Sequence, residues 1–171
     1  MMNKKIAFPL LLAGTAALAA CGKKAPEELP PPPVDTTTPT PVPTTPSGPT
    51  VGSQAHFEQA VNGQNVIYFD TDRYNIDSAD AAALQTQAQY LAQYPQIRIT
   101  VEGHADERGT REYNLALGER RANAAKNYLV GLGVDASRVS TVSYGKERPV
   151  ALGSDEQAWA RNRRAVSVVI N

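Results

Sequence analysis

The chain has 171 residues, room for one ordinary folded domain and little more. Seventeen Lys and Arg balance seventeen Asp and Glu, and a formal charge of zero argues against nucleic acid as the main partner. The single cysteine excludes a disulfide within the chain, and no apolar run of about 18 residues lies beyond the N-terminus, so no ordinary membrane span is predicted.

Lys4 and Lys5 open the chain, and Ile6 to Ala20 are apolar or small throughout. That order reads as a secretory signal over residues 1–20. The only cysteine, Cys21, follows Leu18-Ala19-Ala20, and the tetrad resembles a bacterial lipobox. The resemblance implies lipidation of Cys21 by several acyl chains. Each buried methylene contributes about 0.8 kcal/mol, so one chain holds weakly and several hold firmly. Gly22 rather than Asp follows the cysteine, which favours the outer membrane, periplasmic face. Loss of the signal removes two lysines, leaving fifteen basic against seventeen acidic residues, a net charge of −2.

Residues 22–53 hold 10 of the 13 prolines, 7 threonines and no aromatic residue. Such a stretch buries too little apolar surface to offset chain entropy. With Cys21 it reads as a disordered tether, up to roughly 100 Å at full polyproline stretch. A globular sequence, residues 54–171, follows. Val66 to Phe69 is a short apolar run, predicted as a strand. Asp77 to Tyr94 reads as a helix with Asp77 as its cap, Asp80 in its first turn, and Ala81, Leu84, Ala88 and Leu91 at helical spacing. Ile97, Ile99 and Val101 alternate as a second strand. Arg111 to Gly131 reads as a second helix, with Leu115, Gly118, Ala122, Ala125 and Leu129 on its core face and Gly131 and Gly133 as stops. Val139 to Tyr144 is a third strand. A short irregular or helical piece spans residues 155–161. Ala165 to Ile170 is a fourth strand with Val166, Val168 and Ile170 on one side. The order β-α-β-α-β-β predicts an α/β sandwich, with helices packed on a mixed sheet.

The second strand runs through Glu102-Gly103-His104-Ala105-Asp106-Glu107-Arg108-Gly109-Thr110 straight into the second helix. Loops of this kind, with free N–H groups at a helix start, suit anionic ligands. Asp106 lies in the loop. Asn114, Leu117 and Arg121 recur at three and four residues and share one helical face. An acid and a guanidinium facing one space suit a zwitterion, the Arg clamping a carboxylate and the Asp pairing an ammonium. The alternative is a structural Asp106–Arg121 ion pair fastening loop to helix.

The blocks Val101 to Thr110, Glu112-Tyr113-Asn114, Leu117 to Ala122, Val142 to Glu147 and Asn162 to Val166 resemble the peptidoglycan-associated lipoprotein family, an OmpA-like C-terminal domain on a lipid anchor. The resemblance implies a non-enzymatic outer-membrane lipoprotein without a cofactor. It would bind peptidoglycan through the meso-diaminopimelate of its stem peptide. It would also work within the Tol–Pal system, with TolB and other Tol components as partners in envelope integrity and cell division. By position, the family's ligand residues fall on Asp106, Asn114, Leu117 and Arg121, with Gly118 where the motif has serine. The loop after the first strand supplies Asp72, with Asp70 as its rival. Whether Asp106 meets a ligand ammonium, Arg121 or both stays open. Arg121→Ala and Asp106→Ala are expected to abolish sacculus binding with the fold intact.

Rival readings are weaker. Glu102, His104 and Asp106 would face one metal only if the strand continued past them, and His104 reads instead as a hydrogen-bonding loop residue. No H-E-x-x-H or G-x-S-x-G is present. Hydrolysis of glycan by two carboxylates has no pair that stands out. A pure interaction module would use Trp159 with Arg161, Arg163 and Arg164 as an interface.

Overall fold

The structure is a computed structural model, and it describes residues 48–170. The signal, Cys21 and most of the tether lie outside the described residues.

Helix α1, Gln54–Ala60, was not expected from the sequence pattern. Ser53 caps it by accepting from His56 N, and Phe57 and Val61 enter the core. Its Gln54 amide accepts from Val169 N at 2.7 Å, acting as a surrogate peptide group for the last strand. Strand β1, Val66–Tyr68, is short. Helix α2, Ser78–Gln93, is capped as expected: the Asp77 carboxylate accepts from Asp80 N at 2.8 Å. Asp80 is itself buried, and it accepts from Tyr68 N at 3.0 Å, tying β1 to the start of α2. Strand β2, Arg98–His104, leads to α3, Arg111–Gly131. Gly133 N donates to Val130 O and Val134 N to Leu129 O, which closes that helix after its expected stops. A 3-10 turn, Ala136–Arg138, precedes β3, Val139–Gly145. Helix α4, Glu156–Asn162, and β4, Arg164–Ile170, complete the chain.

The sheet order is β1-β4-β2-β3. β2 runs parallel to β3 and antiparallel to β4, and β1 pairs antiparallel with β4, so the sheet is mixed. The expected order of strands and main helices is observed. Ile99 and Val101 of β2 meet Leu84, Leu91, Ala122, Ala125 and Leu129 in one buried cluster. On β4 the core side is Ala165, Ser167 and Val169, with Ser167 Oγ on Gln87 at 2.7 Å. The predicted trio Val166, Val168 and Ile170 lines the opposite, half-open face, because Glu102 pairs with Val166 and Thr100 with Val168 in register. Leu115 is only half-buried, whereas Leu117 is buried.

One close approach positions the site. A Cβ on Gly118 of α3 would sit 2.8 Å from Gly103 O of β2. Only glycine at both places lets α3 lie this tightly on β2. The β2–β3 register then shifts at Gly103/His104, and Ala105 N donates to Gly145 O at 2.8 Å. That irregularity turns the chain out of the sheet just before Asp106.

Candidate functional site

A cavity of about 230 Å³ opens between the loop after β1 and the loop joining β2 to α3. Asp72, Asp106, Asn114, Leu117 and Arg121 all line it, with Thr71, Arg108 and Tyr113. Asp70 does not. It lines a second cavity instead, with Asp77 and Asp80. Asp72 sits at φ +55°, a left-handed conformation that Asp tolerates better than bulkier residues.

Arg121 forms the floor. It is fully buried, and its guanidinium donates to three carbonyls: Arg73 at 2.8 Å, His104 at 2.7 Å and Asp70 at 3.0 Å. It makes no ion pair among the described residues. Three of its five N–H groups are used and two remain. Burial pulls its pKa down to about 10, and Asp106 and Asp72 act against that shift, so it stays a cation at neutral pH. The structure thus places an unmatched positive charge at the bottom of a cavity.

Asp106 is not paired with Arg121, and the expected alternative of a structural ion pair between them is corrected. Its partner is Arg108, whose Nε and Nη2 reach the two carboxylate oxygens at 3.1 and 2.7 Å, while Arg108 N adds a third bond at 3.1 Å. Arg163 approaches from below, its Nη1 3.5 Å from Oδ2. Burial pushes the Asp106 carboxyl up, but the hydrogen bonds from Arg108 and Arg163 outweigh it and leave the pKa below the ordinary value.

Local sequence sets this geometry. Gly109 takes φ +84°, which lets the loop turn sharply into α3. Thr110 caps the helix by accepting from Tyr113 N at 3.2 Å. Asn114 Nδ2 donates to Arg108 O at 2.7 Å and holds the loop over the helix. Lys146 secures it from outside, donating to Glu107 O and Gly109 O at 3.1 and 2.7 Å.

Sequence reasoning missed Arg108, Thr71 and Tyr113. Arg108 stands two residues after Asp106, the spacing at which a side chain folds back on an acid. The rival reading of Trp159 with Arg161, Arg163 and Arg164 as one exposed interface is corrected: Arg163 and Arg164 are buried, and of the three arginines Arg161 alone is exposed. Arg163 instead joins Phe69 O, Asp106 and Glu156. His104 is also corrected. It closes β2, is 1% exposed, and neither ring nitrogen has a hydrogen-bond partner. Glu102 Oε2 lies 3.7 Å from its Nε2 on the open face of the sheet, while Asp106 turns away into the cavity. No group of three His, Cys, Asp or Glu among the described residues could hold a metal.

The model of the OmpA family matches residues 68–163, which takes in every one of the cavity's lining residues. The chain belongs to the OmpA family, in its peptidoglycan-associated lipoprotein branch. The peptidoglycan-associated lipoprotein of Rhizobium meliloti is 57% identical over 120 residues, 70% of this chain and 67% of that protein. That of Pasteurella multocida is 42% identical over 164 residues, 95% of this chain and 97% of that protein. The crystal structure of the Burkholderia pseudomallei protein of the same description superposes with a TM-score of 0.64 at 48% identity, covering 66% of this chain and 96% of that one. A member of this family is a binding protein rather than an enzyme.

Proposed function

We propose that this chain is an outer-membrane lipoprotein, held by acyl groups on Cys21, that binds peptidoglycan without cleaving it. The membership in the peptidoglycan-associated lipoprotein branch supports the wall and the outer membrane as the two layers it joins. The observation that carries the ligand reading is the buried, unmatched Arg121 beneath a cavity rimmed by Asp72 and Asp106. Such a site lacks an anion at its floor and offers carboxylates at its mouth. The side-chain centre of meso-diaminopimelate has the complementary pair: a carboxylate for the free N–H groups of Arg121 and an ammonium for Asp72 or Asp106. Leu117 supplies an apolar wall and Tyr113 an aromatic one. A stem peptide with lysine at that place has no carboxylate to offer. Arg121 would then remain uncompensated, which disfavours binding by a few kcal/mol.

The Pro- and Thr-rich stretch after Cys21 is read as a tether between the two grips, so holding one raises the effective concentration at the other. Weak single contacts would suffice when many copies act together. Docking to TolB within the Tol–Pal system completes the proposal and rests on the family resemblance. The test is retention on purified sacculi, competed with diaminopimelate and with lysine stem peptides. Competition by the first alone, with no soluble fragments released, is expected. Equal competition by both would refute the ligand reading.

A further inference from the structure

Arg108 already does what a ligand ammonium is proposed to do. It spans the cavity mouth, fills both oxygens of Asp106, and reaches Thr71 Oγ1 of the opposite loop at 3.3 Å. The side chain remains 39% exposed, in contrast to the 7% of Arg163 on the same carboxylate. The same guanidinium is stacked on an aromatic face while it holds Asp106: its carbon is 4.1 Å from the centre of the Trp159 ring. Trp159 is tied to the same loop, its Nε1 donating to Glu107 Oε1 at 3.0 Å. The fork on Asp106 and the aromatic face thus hold one part-exposed cation together, and the aromatic face would keep it in place if the carboxylate were taken.

The geometry points to Arg108 as an internal surrogate ligand, a latch that an incoming ammonium must displace from Asp106 and that is then left with Trp159 as its remaining partner, in a changed stacking geometry. Arg163 is the fixed partner and Arg108 the exchangeable one. This inference rests on the proposed stem-peptide site and deepens it. A cation-bearing ligand opens the latch, whereas a ligand carrying only the carboxylate reaches Arg121 and leaves the latch shut. Arg108 therefore sets how strongly the site prefers an amine. Removing it changes that preference rather than simply weakening binding.

Trp159 is the only tryptophan in the chain, so its emission reports this contact without labelling. The probes are a stem tripeptide carrying meso-diaminopimelate and the same peptide acetylated on the side-chain amine. Both keep the carboxylate. Calorimetry gives the two affinities, and emission gives the state of the latch. In the natural chain, the free amine should bind and shift the Trp159 emission, and the acetylated peptide should bind more weakly without a shift. In Arg108→Ala, neither peptide should shift the emission. The ratio of the two affinities should rise about fivefold, the range in which a part-exposed bidentate pair competes. Taking a ratio cancels any effect of the lost charge on the shared carboxylate. Binding heat for the free amine with unchanged emission, or an unchanged or smaller ratio in Arg108→Ala, would overturn the latch while leaving the site reading in place. No binding heat for either peptide would overturn both. A melting curve for Arg108→Ala confirms that the comparison is between folded proteins.

Discussion

Replacing Arg121 tests whether one residue is both strut and receptor. Three bonds link its guanidinium to carbonyls from two separate segments: Asp70 and Arg73 after β1, and His104 at the end of β2. Hydrogen bonds to a charged group contribute about 1.5–3 kcal/mol each, and buried groups left unpaired add a penalty of similar size. Arg121→Ala takes this donor from the carbonyls of Arg73 and His104, leaves Asp70 O with Arg73 N alone, and opens a void where a fully buried side chain stood. Burying the charge costs energy too, so the net loss is on the order of 3–5 kcal/mol. A domain of this size has about 5–15 kcal/mol in total. Arg121→Ala is therefore expected to melt some 10–20 °C lower, and the expectation of an intact fold is withdrawn. Arg121→Lys is the cleaner probe. It keeps the charge, loses the fork, and should cost about 2 kcal/mol while remaining folded at low temperature. Urea melts followed by sacculus pull-down on the folded fraction separate the two roles. Arg121→Ala within about 1 kcal/mol of the natural chain would refute the strut. Undiminished retention by folded Arg121→Lys would refute the receptor.

Other perturbations follow from the same packing. Burial, with Arg164 and Arg148 nearby, pulls the His104 pKa down to about 4 from 6.5. The unfolded chain thus takes the proton first as the pH falls. Stability from this group is present above about 6.5 and lost towards 4, with about 2 kcal/mol gone by pH 5. His104→Phe should flatten that part of the melting-temperature profile; an equal slope in both proteins contradicts the assignment. Gly118→Ala places a Cβ 2.8 Å from Gly103 O and should cost about 1–3 kcal/mol in chemical denaturation, whereas a change below 0.5 kcal/mol would show that α3 can lift off β2. Asn162 holds the loop before α4, accepting from Val150 N and Ala151 N and donating to Ala151 O at 2.8–3.1 Å. Asn162→Ala should speed amide exchange at Val150 and Ala151, and unchanged protection there would exclude the clamp.

Much of the fold was legible because its signals are local. Asp77 and Thr110 cap helices by side-chain bonds three residues long, and the alternation of Ile97, Ile99 and Val101 needs only a strand with one buried face. Helix α1 was not legible. Its seven residues bury only Phe57, and its hold on the sheet runs through Gln54 to a strand more than a hundred residues away. The sidedness of β4 failed for a related reason. Three alternating β-branched or apolar residues mark a core face in an isolated strand, but here Ser167 takes the core side through a bond to Gln87, and Val166 and Val168 lie on the opposite face. Polar residues satisfied across the core defeat a hydrophobicity rule by construction.

The site divides along the same line. Spacing alone put Asn114, Leu117 and Arg121 on one helical face, and the loop before the helix put Asp106 near them. What spacing cannot rank is which of several guanidinium groups reaches an acid, because each is long enough to reach many atoms. Arg108 and Arg163 both reach Asp106 and Arg121 feels its charge, and the outcome turns on what else each must satisfy. Arg121 is held by three carbonyls at once, of which Asp70 O also accepts from Arg73 N, so it is not free to turn to Asp106. Arg163 is committed to Phe69 O and Glu156. Arg108 has only Thr71 and the Trp159 face as alternatives, and so it takes the carboxylate. The pairing is a competition for backbone oxygens, and it is resolved by long-range contacts that only the folded chain supplies. The same competition leaves Arg121, which lines the cavity, without an ion pair among the described residues, and that is what supports the proposal of an anionic ligand group at its floor.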